Sequence, residues 1–216
     1  MATGAEERPS RGHVWQEVLV TLLMVAAALG TSWSSYQATR WNGEQAKAAG
    51  RTSAILIEAG RAQGLGEAQT QVDVATFIAW ADADRRGEAG LADFYVDRFR
   101  AEFRPAFNAW IATRPFTNPE APATPFAMSQ YQLASRQEAE RLDLAADASA
   151  AEVRRNLQTA SNYVLTVVLY AVVLFFAGMS TKITSHRLRW ILAGIGGLVL
   201  VTAVAWIATF PVSVDI

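Results

Sequence analysis

The chain has 216 residues, a formal net charge of -1, no cysteine, and 51% hydrophobic against 18% charged residues. A near-neutral balance gives no electrostatic footprint for nucleic acid, and the lack of cysteine removes thiol chemistry and any disulfide framework. The averages would suit a soluble protein of one or two domains, but residues 18–33, 163–180 and 190–214 contain no Asp, Glu, Lys or Arg at all. With its interfacial residues, each segment has about the 17–25 residues that a helix rising about 1.5 Å per residue needs to cross a hydrocarbon core about 30 Å thick.

The order along the chain is therefore a tail (residues 1–13) and a first membrane span (14–36). A basic start at Arg8 and Arg11 and the small residues Ala26, Ala27 and Ala28 also fit a cleaved signal peptide. Gln16 and Glu17 interrupt that pattern, and Trp33, Tyr36 and Trp41 follow where an interfacial aromatic belt belongs. An uncleaved anchor is expected, with the helix running on through GTSWSSYQATRW (residues 30–41), which holds no proline and no turn cluster.

Residues 37–160 form the segment between spans one and two, and no stretch in it alternates with the period of a strand. Thr39, Gly43, Ala46, Gly50, Ser53, Ile57, Gly60 and Gly64 recur at spacings of three and four, which predicts a tight heptad-like seam. Its expected partner is Leu142, Ala145, Ser149, Val153, Asn156, Ala160 and Tyr163 on a later helix. From Glu67 to Arg86 the apolar face is expected to carry Val74, Phe77, Ile78 and Ala81. Gly87 and Gly90 then mark a short link, so that a helical hairpin results. Tyr95, Phe99, Phe103, Phe107 and Trp110 make an aromatic stripe, within which Pro105 should break and restart the helix.

A proline-rich loop (114–126) follows. Phe116 and Phe126 at its ends argue for a packed loop, and Phe116, Asn118 and Phe126 are the candidate partner surface. From Ser129 to Met179 no proline intervenes, and one helix of about fifty residues is expected to run on into the second span (161–180). A link (181–188), a third span (189–210) and a tail (211–216) complete an all-α chain with a stalk-like helical domain between spans one and two.

Lys and Arg in short flanks are retained on the cytoplasmic side. Arg8 and Arg11 precede span one, Lys182, Arg187 and Arg189 lie in or beside the link, and no basic residue follows Phe210. The N-terminus and link are thus expected in the cytoplasm, and residues 37–160 and the C-terminus outside it. Of 19 basic residues only Lys47 and Lys182 are lysine, a bias typical of GC-rich bacterial genomes, so a bacterial inner membrane is expected.

Chemistry is sparse. No nucleophile, metalloprotease or phosphate-loop motif is present, and His13 and His186 read as interfacial residues. The carboxylates at 82, 84, 93, 97, 138, 140, 143 and 147 are interleaved with arginines, as in helix-surface ion pairs. No enzyme activity, metal or cofactor is expected. Ala193 and Gly197, four apart, suggest a packing face in span three.

The first span carries Glu17, Thr21, Thr31 and Ser35 on one face, and the second repeats Asn162, Thr166 and Tyr170 every four residues. Polar groups at membrane depth should face protein or water. Two readings follow: a homo-oligomeric pore lined by span one with Glu17 at its inner mouth, or a scaffold whose outer domain engages an extracytoplasmic protein partner. In both the lipid bilayer is the surrounding medium.

FRPAFNAW (103–110), NPEAPATPF (118–126) and NYVLTVVLYAVVLFFAG (162–178), taken in this order, resemble a group of uncharacterised bacterial three-span membrane proteins. The resemblance implies the three-span topology and adds no activity.

Overall fold

A computed structural model describes the backbone of residues 11–213 and the side chains of residues 15–213. Arg8 lies outside the described residues, as do the side chains of Arg11 and His13. The described residues form five α-helices, one short 3-10 turn (Pro125–Ala127) and no strand: α1 (Arg11–Arg85), α2 (Ala89–Arg98), α3 (Arg104–Ala112), α4 (Ala134–Lys182) and α5 (His186–Ile207). The chain divides into two compact units, residues 50–150 and the remainder. Helices α1, α4 and α5 are each long and apolar enough to cross a membrane.

In the unit formed by residues 1–49 and 151–216, small residues let helices approach. Ala27, Tyr170, Val173 and Ala203 form one buried cluster, and Val20, Ala177 and Ala193 another. Gly30 sits directly under the Tyr170 ring, where a Cβ would stand 2.5 Å from Cζ. On α5 the packing residues are Ala193, Gly196 and Ala203. Gly197, expected to share that face, has no neighbour within 4 Å of where its Cβ would be, whereas a Cβ on Gly196 would lie 3.5 Å from Phe176 Cβ. Large apolar side chains such as Leu22, Leu29, Phe175, Leu198 and Val201 point outward, as a lipid-facing surface requires.

The unit formed by residues 50–150 has an aromatic core. Trp80, Phe99, Phe103, Phe107 and Trp110 are buried, with Phe77, Phe126 and Tyr131 packed against them. Trp80 meets Phe107 edge-on at 4.7 Å, and Phe126 stacks on Phe103 at 5.2 Å, geometries that aromatic quadrupoles favour. Gly87, at φ +75, turns the chain after α1, a backbone conformation that L side chains rarely adopt. Pro105 restarts the helix as expected: α2 ends at Arg98 and α3 begins at Arg104 with proline in its first turn. Arg104 reaches back, its guanidinium donating to the carbonyls of Phe99 at 3.1 Å and Asp97 at 2.5 Å, which satisfies the open end of α2.

Two expectations for α1 need correction. The predicted face is right for Phe77 and Ala81, which pack against the aromatic core, and for half-buried Val74, but Ile78 is 61% exposed and the buried residues are Asp73, Trp80 and Ala83. The glycine seam is also misplaced, since Gly43, Gly50, Gly60 and Gly64 have nothing within 4 Å of a built Cβ. A heptad seam does exist, two residues further on. Ala48, Thr52, Ile55, Ala59, Ala62, Gly66, Gln69 and Asp73 are buried or half-buried at alternating spacings of four and three. Gly66 is the close-approach glycine of this unit, with a Cβ there 3.1 Å from Ser135 Oγ and from Arg136 Cγ. On α4 the predicted register is correct: Leu142, Asn156, Ala160 and Tyr163 are buried, and Ala145, Ser149 and Val153 half-buried.

Candidate functional site

Two buried polar centres stand out, one in each unit. In the unit containing residues 151–216, polar side chains of the membrane-length helices pair internally. Thr166 Oγ1 lies 2.9 Å from Ser34 Oγ and 2.7 Å from the Tyr163 carbonyl. Gln37 makes a reciprocal pair with the backbone of Ser213: its Nε2 donates to the carbonyl at 3.2 Å and its Oε1 accepts from the amide at 3.1 Å. The Pro211 carbonyl accepts from Tyr163 Oη at 3.0 Å and Trp41 Nε1 at 3.2 Å. Three side chains thus satisfy the Pro211 carbonyl and both backbone groups of Ser213 where the chain leaves α5, in place of the water a free tail would use.

The sequence-derived inward residues divide by element. Thr166 and Tyr170 on α4 are buried and Asn162 is half-buried, its Oδ1 accepting from Gln158 Nε2 at 2.9 Å. On α1 Glu17, Thr21 and Ser35 are exposed and Thr31 half-buried. The Thr21 and Thr31 hydroxyls donate to the carbonyls of Glu17 and Ala27, both at 2.8 Å. A hydroxyl bonded to its own helix one turn back can face lipid without an orphaned donor. In this unit the buried polar residues of α1 are Gln16, Ser34 and Gln37, which the sequence pattern did not single out as inward-facing.

In the unit of residues 50–150 the centre is Asp73, at 0% exposure. Its Oδ2 accepts from Arg100 Nη1 at 2.9 Å and Tyr131 Oη at 3.1 Å, while Oδ1 has no partner. Arg100 also pairs with Glu102, whose Oε1 accepts the Ala134 amide at 3.1 Å at the start of α4. A carboxylate at that position complements the open amides and positive end of a helix. Beside this group Arg136 Nη2 donates to Thr70 Oγ1 at 3.0 Å, and Ser135 Oγ to Gln69 Oε1 at 2.8 Å. Burial is the largest influence on Asp73 and raises its pKa above the ordinary carboxylate value; the bonds from Tyr131 and Arg100 oppose it. Tyr131 is likewise raised, by burial first. No family model, curated protein or solved structure matches the chain. Its function therefore has to be read from these residues.

Asp73, Arg100, Glu102 and Tyr131 were not legible as a group. The available signal was Asp73 itself, which lies four residues before Phe77 and seven before Trp80 on the same helical face.

The proline-rich loop is packed, as its aromatic ends suggest. Trp110 Nε1 donates to the Pro122 carbonyl at 2.7 Å. Asn118 holds the loop at both ends of its amide: Nδ2 donates to the Thr113 carbonyl at 3.1 Å and Oδ1 accepts from the Glu120 amide at 3.0 Å. Phe126 is half-buried in the aromatic core. Phe116 is 61% exposed, one side of its ring against Trp110 at 5.9 Å and Trp80 at 6.5 Å.

Proposed function

We propose that the chain is a multi-pass bacterial inner-membrane protein that displays residues 50–150 outside the cytoplasm as a binding unit for a protein partner. The N-terminus and the link between α4 and α5 stay cytoplasmic, following the basic flanks at Arg8, Arg11, Lys182, Arg187 and Arg189. The resemblance to three-span bacterial membrane proteins belongs to the same reading.

The observation that carries it is the loop of residues 114–126. Phe116 is a large exposed aromatic on a segment fixed by Asn118, by Trp110 Nε1 and by the stacking of Phe126. A rigid aromatic anchor loses little freedom on docking, which is how binding residues gain affinity. A homo-oligomeric pore would instead need Glu17, Thr21, Thr31 and Ser35 to line water. Their exposure leaves that arrangement open to a neighbouring copy, but the hydroxyls of Thr21 and Thr31 already bond their own helix, which favours the anchor over the pore.

A photo-crosslinking residue placed at Phe116 in cells should give an adduct with an envelope protein, and one placed at the equally exposed Leu144 should not. Absence of an adduct at 116 would overturn the binding reading. So would a conductance of the purified protein in planar bilayers whose cation preference falls in Glu17→Gln.

A further inference from the structure

Where α1 begins, α4 ends and α5 begins, the helices leave a cleft of about 320 Å³ lined by Gln16, Glu17, Thr21, Thr181 and Arg189 among others. The Gln16 side chain is 1% exposed, yet neither its Oε1 nor its Nε2 has a hydrogen-bond partner. Burying an amide with both ends unmet is unfavourable, and an occupant of the cleft would meet them. Arg189 Nε donates to the Ser180 carbonyl at 3.2 Å, which ties the guanidinium to the end of α4 at the cleft wall.

The donors are the Arg189 guanidinium and the Gln16 amide N–H, since the Thr21 and Thr181 hydroxyls already donate to the carbonyls of Glu17 at 2.8 Å and Gly178 at 2.7 Å; this pair suits the oxygens of a phosphodiester. The acceptor set, the Glu17 carboxylate and Gln16 Oε1, suits a primary ammonium, which has three N–H donors to place. An anion alone would meet repulsion from Glu17, and a quaternary ammonium has no N–H to offer. A zwitterion with both groups matches both sets. Its source follows from position: Thr181 and Arg189 lie in the last turn of α4 and the first of α5, and Gln16 and Glu17 just before the uncharged run of α1, the depth of lipid headgroups, with Trp15 and Trp190 exposed at the same end.

We propose that this cleft binds the headgroup of a membrane lipid carrying a phosphodiester and a primary ammonium, with the phosphate toward Arg189 and the ammonium toward Glu17. The inference rests on the membrane reading of α1, α4 and α5. The test uses the full chain in lipid nanodiscs of phosphatidylcholine alone, or mixed with phosphatidylethanolamine or with phosphatidylglycerol. The melting temperature is read together with the lipids retained per chain by native mass spectrometry.

Phosphatidylethanolamine should raise the melting temperature by several degrees and remain as one adduct, phosphatidylglycerol should do neither, and Gln16→Leu and Glu17→Gln should each abolish the difference. A purely structural Gln16 would shift the melting temperature equally in all three lipids and leave the preference intact, which would overturn the site. Equal stabilisation by phosphatidylglycerol would overturn the zwitterion. Full stabilisation in phosphatidylcholine by soluble glycerophosphoethanolamine would overturn the lipid source. Should both variants misfold, the adduct count of the native chain in the three lipids decides alone. Failure to enter nanodiscs would contradict the membrane spans, whereas insertion without lipid preference contradicts the headgroup site only.

Discussion

Replacing Gly30 by alanine adds one methyl group where the helices leave no room. The new Cβ would stand 2.5 Å from Tyr170 Cζ and 2.7 and 2.8 Å from the adjoining ring carbons, well inside the roughly 3.5 Å at which carbon atoms attract. The ring is 2% exposed and packs among Ala27, Val173 and Ala203, so it cannot swing aside cheaply. Overpacking of this kind costs about 1–3 kcal/mol, against roughly 1 kcal/mol gained when a helical glycine becomes alanine. The expected net effect is a loss of about 1 kcal/mol. Gly50→Ala is the control, because nothing lies within 4 Å of its Cβ, and it should keep the whole gain of about 1 kcal/mol. Reversible unfolding in mixed micelles, titrated with a denaturing detergent, should therefore give opposite signs. In a Tyr170→Leu background the Gly30→Ala penalty should shrink or vanish. If Gly30→Ala stabilises the native background as much as Gly50→Ala does, the ring does not rest on the α1 backbone.

Gln37→Leu leaves the Ser213 amide and carbonyl without their reciprocal partner, and should cost about 1–3 kcal/mol while speeding hydrogen exchange at Ser213; unchanged exchange would refute the docking of residues 211–213. Trp110→Phe keeps the aromatic core but frees the Pro122 carbonyl, and should cost about 1 kcal/mol and open the 114–126 loop to limited proteolysis, which an intact loop would contradict. Asp73 binds its proton more tightly folded than unfolded, since burial raises its pKa above 3.8. Between that raised value and about 3.8 the folded state holds more protons, so stability from this group rises as pH falls. Unfolding measured against pH should show the native chain gaining on Asp73→Asn through that window; parallel profiles would mean that the carboxylate titrates normally.

Periodicity made the architecture legible because it reports helix faces directly. The register Leu142, Asn156, Ala160, Tyr163 rests on it, while the break at Pro105 and the long helix after Ser129 rest on where proline stands and where it is missing, and the structure has each. The face of α1 was harder to phase. Alanine and glycine lie on both sides of this helix, so small size did not separate the packed Ala59 and Gly66 from the open Gly60 and Gly64. The polar centres escaped for a different reason. Asp73 meets Arg100 and Tyr131 across separations of 27 and 58 residues, and Gln37 meets Ser213 across 176. No local pattern encodes such pairs, although a carboxylate on an aromatic face does mark where one partner lies.

The central claim is that α1, α4 and α5 cross the membrane with residues 50–150 displayed outside the cytoplasm. A reporter active only outside the cytoplasm tests it most directly, inserted after Thr117 in the loop of residues 114–126, inserted at Ser185 between α4 and α5, or fused after Asp215. Activity after Thr117 and Asp215 with silence at Ser185 is the expected result. Activity at Ser185 with silence at the other two positions would contradict it, and would place the Phe116 surface in the cytoplasm.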